Sequence, residues 1–189
     1  CVEWMKATGL KSLRGSNSKT RATNTTLKMK RLLYRALVIL SIITMGCSKE
    51  APAQWQQYES QLQPVNQTLI EEETLLLINL HREADSLTPL EYLPLIHQVA
   101  QLHTQQQIHQ QLISHEGFGQ RAQFLQYRLG STSQAENVAY GYTTPAALVN
   151  AWLNSPGHRH NILHSHTHTA ISIIEVEGRY WATQIFSTH

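Results

Sequence analysis

Histidine gives this chain its widest scope for chemistry, because five of its eleven histidines fall between positions 158 and 168. His158, His160, His164, His166 and His168 are spaced by short, mostly polar residues, and neutral imidazole is a good ligand for copper, nickel or zinc. Such a run supports two readings, a metal-binding loop or a solvated connection in which histidine is cheap. His97, His103 and His109 recur every six residues. On a helix each step of six turns the ring by about 600°, so these three scatter around the axis and read as surface or helix-packing residues. Other chemistries leave no trace: the sequence has no nucleophile elbow, phosphate loop, Cys-x-x-Cys pair or dinucleotide fingerprint.

The elements that position His158 are legible around it. Thr144 and Pro145 read as N-cap and first helical residue, and Leu148, Ala151, Trp152 and Ser155 recur at helical spacing as one inward stripe. Pro156 cannot continue the hydrogen-bond ladder and Gly157 tolerates a positive φ, so this pair is expected to stop the helix and deliver His158 beside its end. Asn161 is expected to bond local backbone and hold Ile162 and Leu163 against the core.

The segment W-L-N-S-P-G-H-R-H-N-I-L at 152–163, with A-E-N-V-A at 135–139 and I-S-H at 113–115, resembles the bacterial branch of the CAP superfamily. That family groups cysteine-rich secretory proteins, venom antigens, plant pathogenesis-related proteins and SCP-like bacterial proteins. The likeness runs from about Thr68 to Phe186 with the motifs in the family's order. It implies an α/β fold, an α-β-α sandwich with a small, mainly antiparallel sheet between helices, here over residues 68–189. In the family two histidines and two acids converge in a cleft, which by motif match are His115, Glu136 and His158. The second acid of the family's W-x-x-E pattern is replaced by Ser155.

Two neutral imidazoles and a carboxylate can hold a divalent metal such as zinc, with water in the open position, so the resemblance admits that cofactor at His115, His158 and Glu136. The alternative is a hydrogen-bonded polar network tying helices to sheet. The leading functional reading is a cell-envelope protein that binds a lipid, glycan or protein in this cleft without catalysis. The rivals are a metal-dependent hydrolase or protease acting on envelope polymers, and a lipoprotein that binds metal through the histidine loop.

Charge divides the chain. Before Cys47 there are nine Lys/Arg and one acid, a net +8, and from Cys47 on there are six Lys/Arg and twelve acids, a net −6. The acidic part repels phosphate, so no nucleic-acid partner is expected. Met29-Lys30-Arg31 with Arg35 forms a basic n-region and Ala36 to Met45 an apolar stretch too short to span a membrane, which makes 29–46 a signal peptide. Gly46-Cys47 resembles a bacterial lipobox, with Thr44 where Leu is commoner. Cys47 is thus the expected lipidation site and membrane anchor, and the protein is secreted if the lipobox is not used. Residues 1–28 read as upstream sequence outside the mature protein. Cys1 and Cys47 are the two cysteines, so no disulfide is expected.

Residues 47–67, rich in Gln, Ser, Ala and Pro, read as a flexible tether. Thr68 and Glu71 form a capping box for a helix whose expected buried stripe is Leu69, Leu76, Leu80, Ala84 and Leu87. Asn79 and Arg82 match the family's N-x-x-R. Pro94 opens a helix to about Leu112, and a short helix with Ala122, Leu125 and Leu129 inward spans Arg121 to Leu129, ending at Gly130. Ser131 to Gln134 reads as loop and Val138 to Tyr142 as strand. Two β-rich runs, Ile171 to Val176 and Tyr180 to Phe186, are joined by Glu177-Gly178, a hairpin signal.

Overall fold

Helix starts are set by the residues the sequence singles out. In this computed structural model, which describes residues 51–189, Thr68 caps the helix α2 (Leu69–Ala84) through the reciprocal pair with Glu71. Pro94 stands at the first position of α3 (Pro94–Gln110) and Pro145 at that of α5 (Pro145–Asn154), where Thr144 accepts the Ala147 N–H. The α4 helix (Phe118–Leu129) begins three residues earlier than expected and ends at Gly130 in the left-handed conformation. The expected signal peptide, the anchor at Cys47 and residues 1–28 lie outside the described residues.

Four strands form one sheet in the order β1-β3-β4-β2. Strands β3 (His168–Val176) and β4 (Arg179–Thr188) make the expected hairpin. Glu177 and Gly178, at φ 52° and 71°, supply the pair of left-handed residues that a tight hairpin turn requires. The β2 strand (Ser133–Tyr142) pairs antiparallel with β4, starting inside the stretch expected to be loop, and the two-residue β1 (Glu91–Tyr92) lies parallel to β3. Strand β4 is therefore central and buried on both faces.

Alternate residues of β3 and β4 face opposite layers. Ile171, Ile173, Ala182 and Phe186 join Leu75, Ile78, Leu148, Trp152 and Ile162 from α2, α5 and α6 (Pro156–Leu163) in one core cluster. Ala170 and Ile185 join Ile96, Val99, Ala100, Phe124 and Leu125 from α3 and α4 in the other. The result is the expected α-β-α sandwich, with both faces of the sheet covered.

Three expectations are corrected. The 47–67 tether contains a helix, α1 (Ala53–Glu59), whose Trp55 and Tyr58 are buried against Phe124. Two aromatics three residues apart supply the apolar face that the surrounding glutamines conceal. The stripe on α2 is rotated: Leu69, Leu76 and Leu80 are 82%, 58% and 51% exposed, while Leu75, Ile78 and Arg82 are buried. The reason is that Glu71 and Arg82 bury their charges in hydrogen bonds, which turns their face of the helix inward. Finally, Pro156 does not end helical structure but occupies the first position of α6, one residue after α5 stops.

Trp152 is 1% exposed, and its indole N–H reaches the Val138 carbonyl. Trp152→Ala is expected to cost about 3–5 kcal/mol in denaturant unfolding. Trp55→Ala is expected to cost at least about 2 kcal/mol, whereas a cost within about 0.5 kcal/mol would return that segment to a solvated tether.

Candidate functional site

Glu136 on β2 is the centre of the site, with a side chain 1% exposed. A buried carboxylate needs compensating donors, and Arg121 supplies two: Nε donates to Oε2 at 2.8 Å and Nη2 to Oε1 at 2.9 Å. His115 Nδ1 lies 2.9 Å from the same Oε1. Because a carboxylate only accepts, that nitrogen carries the hydrogen, and a neutral His115 keeps Nε2 as an acceptor on a side chain 52% exposed. His103 Nε2 is 3.9 Å from Oε1 but bonds the Ser114 carbonyl at 2.8 Å. Arg121 also donates through Nη1 to the Glu116 carbonyl. Gly117, which caps α4 at φ 74°, makes room for this guanidinium, since a Cβ there would lie 3.3 Å from Nη1.

Asparagines hold His158 to this strand. Asn161 Nδ2 donates to Asn137 Oδ1 at 2.9 Å and to the Glu136 carbonyl at 3.3 Å, and Asn137 Nδ2 donates to the His158 carbonyl at 3.3 Å. Asn161 therefore reaches across to β2 instead of bonding local backbone, because α6 lies beside that strand. His158 is partly buried. Burial pushes its pKa down, and the nearby charge of a protonated His115 pushes it further the same way. Ser155 is the single-residue joint between α5 and α6: its N–H donates to the Trp152 carbonyl, its carbonyl accepts the Arg159 N–H, and its side chain makes no capping bond.

The structure thus brings His115 and Glu136 into direct contact and holds His158 nearby through backbone. Arg121 and His103 complete the cluster without having been expected there. Each had a signal: Arg121 shares a helical stripe with Phe124 and Leu125, and His103 one with Ile96 and Ala100, so both had to be buried with a polar partner. Glu136 spends both oxygens on Arg121 and His115. Among the described residues no three His, Cys, Asp or Glu side chains are placed to hold one metal ion, so a divalent metal at His115, Glu136 and His158 does not fit this arrangement.

The histidine run is divided among three environments. His158 belongs to the site above, while His168 faces Glu91 at 3.7 Å and packs on His189. His160, His164 and His166 form a row, with ring centroids 5.5 and 4.8 Å apart. His166 is buried, stacks on Phe186, and its Nδ1 lies 3.0 Å from the Thr188 hydroxyl. The run therefore lacks the shape of one chelating loop.

The fold and this motif geometry correspond to a known family. The CAP family, described as the cysteine-rich secretory protein family, matches residues 75–186, and the chain belongs to it. The uncharacterized protein YkwD of Bacillus subtilis is 28% identical over 125 residues, which cover 64% of this chain and 48% of YkwD. The chain thus spans about half the length of that curated relative. An outer surface protein of Borrelia burgdorferi superposes with a TM-score of 0.59 at 20% identity, covering 68% of this chain and 98% of that one. An extracellular protein of Bacillus anthracis containing an SCP domain gives 0.56 at 23% identity, covering 74% and 44%. At these identities the likeness is one of fold.

Burial, then the nearby charges of His164, Arg82 and His160, lower the His166 pKa to about 4. An unfolded histidine titrates near 6.5, so below that pH the unfolded chain takes up a proton that the folded chain excludes. Stability is expected to be fully present above pH 6.5 and to fall between about 6.5 and 4, by at most about 3 kcal/mol from this group. His103 and His158, also lowered by burial, act in the same direction. The check is urea unfolding across that range: His166→Asn should show a shallower loss than wild type.

Proposed function

We propose that this chain is a cell-envelope CAP-domain lipoprotein that binds a ligand at the exposed side of His115 and His158 without hydrolysing it. The observation that carries this reading is the saturation of Glu136. For Glu136 itself to take a proton or to ligate metal its carboxylate would have to be free, and it is buried with Arg121 on two edges and His115 on a third contact. Ser155, where the family pattern has its second acid, offers no replacement. What remains accessible is the Nε2 edge of His115 beside His158, a hydrogen-bonding surface on a rigid strand-and-helix frame suited to a lipid, glycan or protein group.

An extracytoplasmic location, with a lipid on Cys47 as anchor, is supported by the basic and apolar run ending at Gly46-Cys47. It is also supported by the outer-surface and extracellular character of proteins sharing the fold. No helix among the described residues is long and apolar enough to cross a membrane. Expressed in a bacterium, the protein is expected to label with palmitate and to fractionate with membranes, and Cys47→Ser should abolish the label. Membrane association of an unlabelled wild type would point to an uncleaved anchor instead.

Calorimetric titration with zinc distinguishes binding from hydrolysis. Wild type is expected to bind zinc no tighter than about 1 μM, or −8 kcal/mol, and to show no zinc-dependent turnover of peptide, ester or glycan substrates. Nanomolar zinc lost in His115→Ala/His158→Ala, together with zinc-dependent cleavage, would establish the hydrolase.

A further inference from the structure

A cavity of about 520 Å³ lies between α1, α3 and the turn that opens α4, and neither His115 nor His158 lines it. That volume is within the range of small-molecule sites. Its walls carry four glutamines, Gln61, Gln105, Gln106 and Gln120, all on exposed positions, with Leu102 and Tyr58 as apolar surface. Tyr58 belongs to the helix hidden in the expected tether, so this cavity exists because that segment packs on the domain.

His103 supplies the decisive atom. It lines the cavity and is 2% exposed. The Ser114 carbonyl, 2.8 Å from Nε2, can only accept, so the hydrogen sits on Nε2 and a neutral ring leaves Nδ1 as an acceptor. Nδ1 is buried and has no hydrogen-bond partner, and the neighbouring Gln106 amide, though close enough to favour the protonated ring, makes no bond of normal geometry to it. Burial and then the Arg121 charge push the His103 pKa down, keeping the ring in its accepting form. A buried acceptor left unmatched carries a desolvation cost that a ligand donor would relieve.

The cavity's electrostatics restrict what that donor belongs to. Arg121 reaches the wall already neutralised by Glu136, Glu116 is the one acid lining it, and Tyr58 has its pKa pushed up to about 12, chiefly by burial, so its phenol stays neutral. Neither an anion nor a metal ion finds compensation here. Side-chain amides place a donor and an acceptor side by side, which suits neighbouring hydroxyl or acetamido groups, and Leu102 and Tyr58 suit the apolar face of a sugar ring.

We propose that this cavity binds a short neutral oligosaccharide, with the exposed Gln106 side chain turning aside so that one hydroxyl donates to His103 Nδ1 in its place and adjacent polar groups meet Gln105 and Gln120. The cavity shares Arg121 and His103 with the Glu136 cluster, but neither His115 nor His158 lines it, so sugar binding here is read separately from binding at those two histidines. The test is calorimetry on the full chain with chitotriose, maltotriose and inorganic phosphate as probes. At least one trisaccharide is expected to bind with a Kd below about 1 mM. Gln105→Ala/Gln120→Ala, which alters exposed positions and should keep the wild-type circular dichroism spectrum, is expected to weaken it about tenfold or more, and His115→Ala to leave it unchanged. The proposal is overturned if neither sugar binds up to about 10 mM, if phosphate binds more tightly than both, if the glutamine substitutions have no effect, or if His115→Ala removes the binding.

Discussion

A single buried cation holds the site-bearing helix in place. Arg82 is 1% exposed and, among the described residues, meets no carboxylate. Its guanidinium donates instead to backbone carbonyls: twice to Thr88, and once each to Ile162, His164 and His166. Carbonyls at a helix C-terminus lack intrahelical partners and concentrate negative potential. The end of α6 and the segment after it therefore offer both acceptors and a favourable field. One turn earlier, Asn79 bonds both backbone groups of Leu90, so the N-x-x-R spacing fastens the loop before β1 and the end of α6 from one face of α2. His158 inherits its position from this clamp at one end of α6 and from Asn137 at the other.

Two buried carboxylates divide the remaining polar work. Glu71 closes its own helix cap, accepts the Ile173 N–H at 2.8 Å and faces His97 at 3.2 Å, joining α2, β3 and α3. Burial pushes its pKa up, but the bonds from His97, Thr68 and Ile173 outweigh that and hold it below the usual carboxylate value. Glu136 differs in meeting a formal cation through two parallel bonds, and in having one neighbour, His115, open to solvent. The first carboxylate is wholly internal. The second presents the edge of a neutralised network to the outside.

Much of the fold was legible because it depends on local rules. Thr68 with Glu71, Pro94, Thr144 with Pro145, Gly130 and Glu177-Gly178 each act within a few residues of themselves, and each element appeared where those residues put it. The three-layer architecture followed from the resemblance carried by the Trp152–Leu163, Ala135–Ala139 and Ile113–His115 motifs. What escaped depends on partners distant in sequence. The face of α2 is chosen by Arg82 reaching carbonyls some eighty residues away, against the pull of Leu69, Leu76 and Leu80. Asn161 has local options that only the nearness of β2 overrides. Of the site residues, His115 and Glu136 are in contact, but Arg121 decides what Glu136 can do, and nothing near Glu136 in sequence announces it.

The order of strands bears on how the chain reaches its native state. The central strand β4 is the latest of the described elements, and β2 gains its sheet partner only from it. Until β4 has emerged, a growing chain can cap helices but cannot close the sheet or cover either core cluster, and its pairings wait on contacts of long sequence separation. Late closure of this kind makes the ten-residue β4 the step on which an open chain gives way to structure.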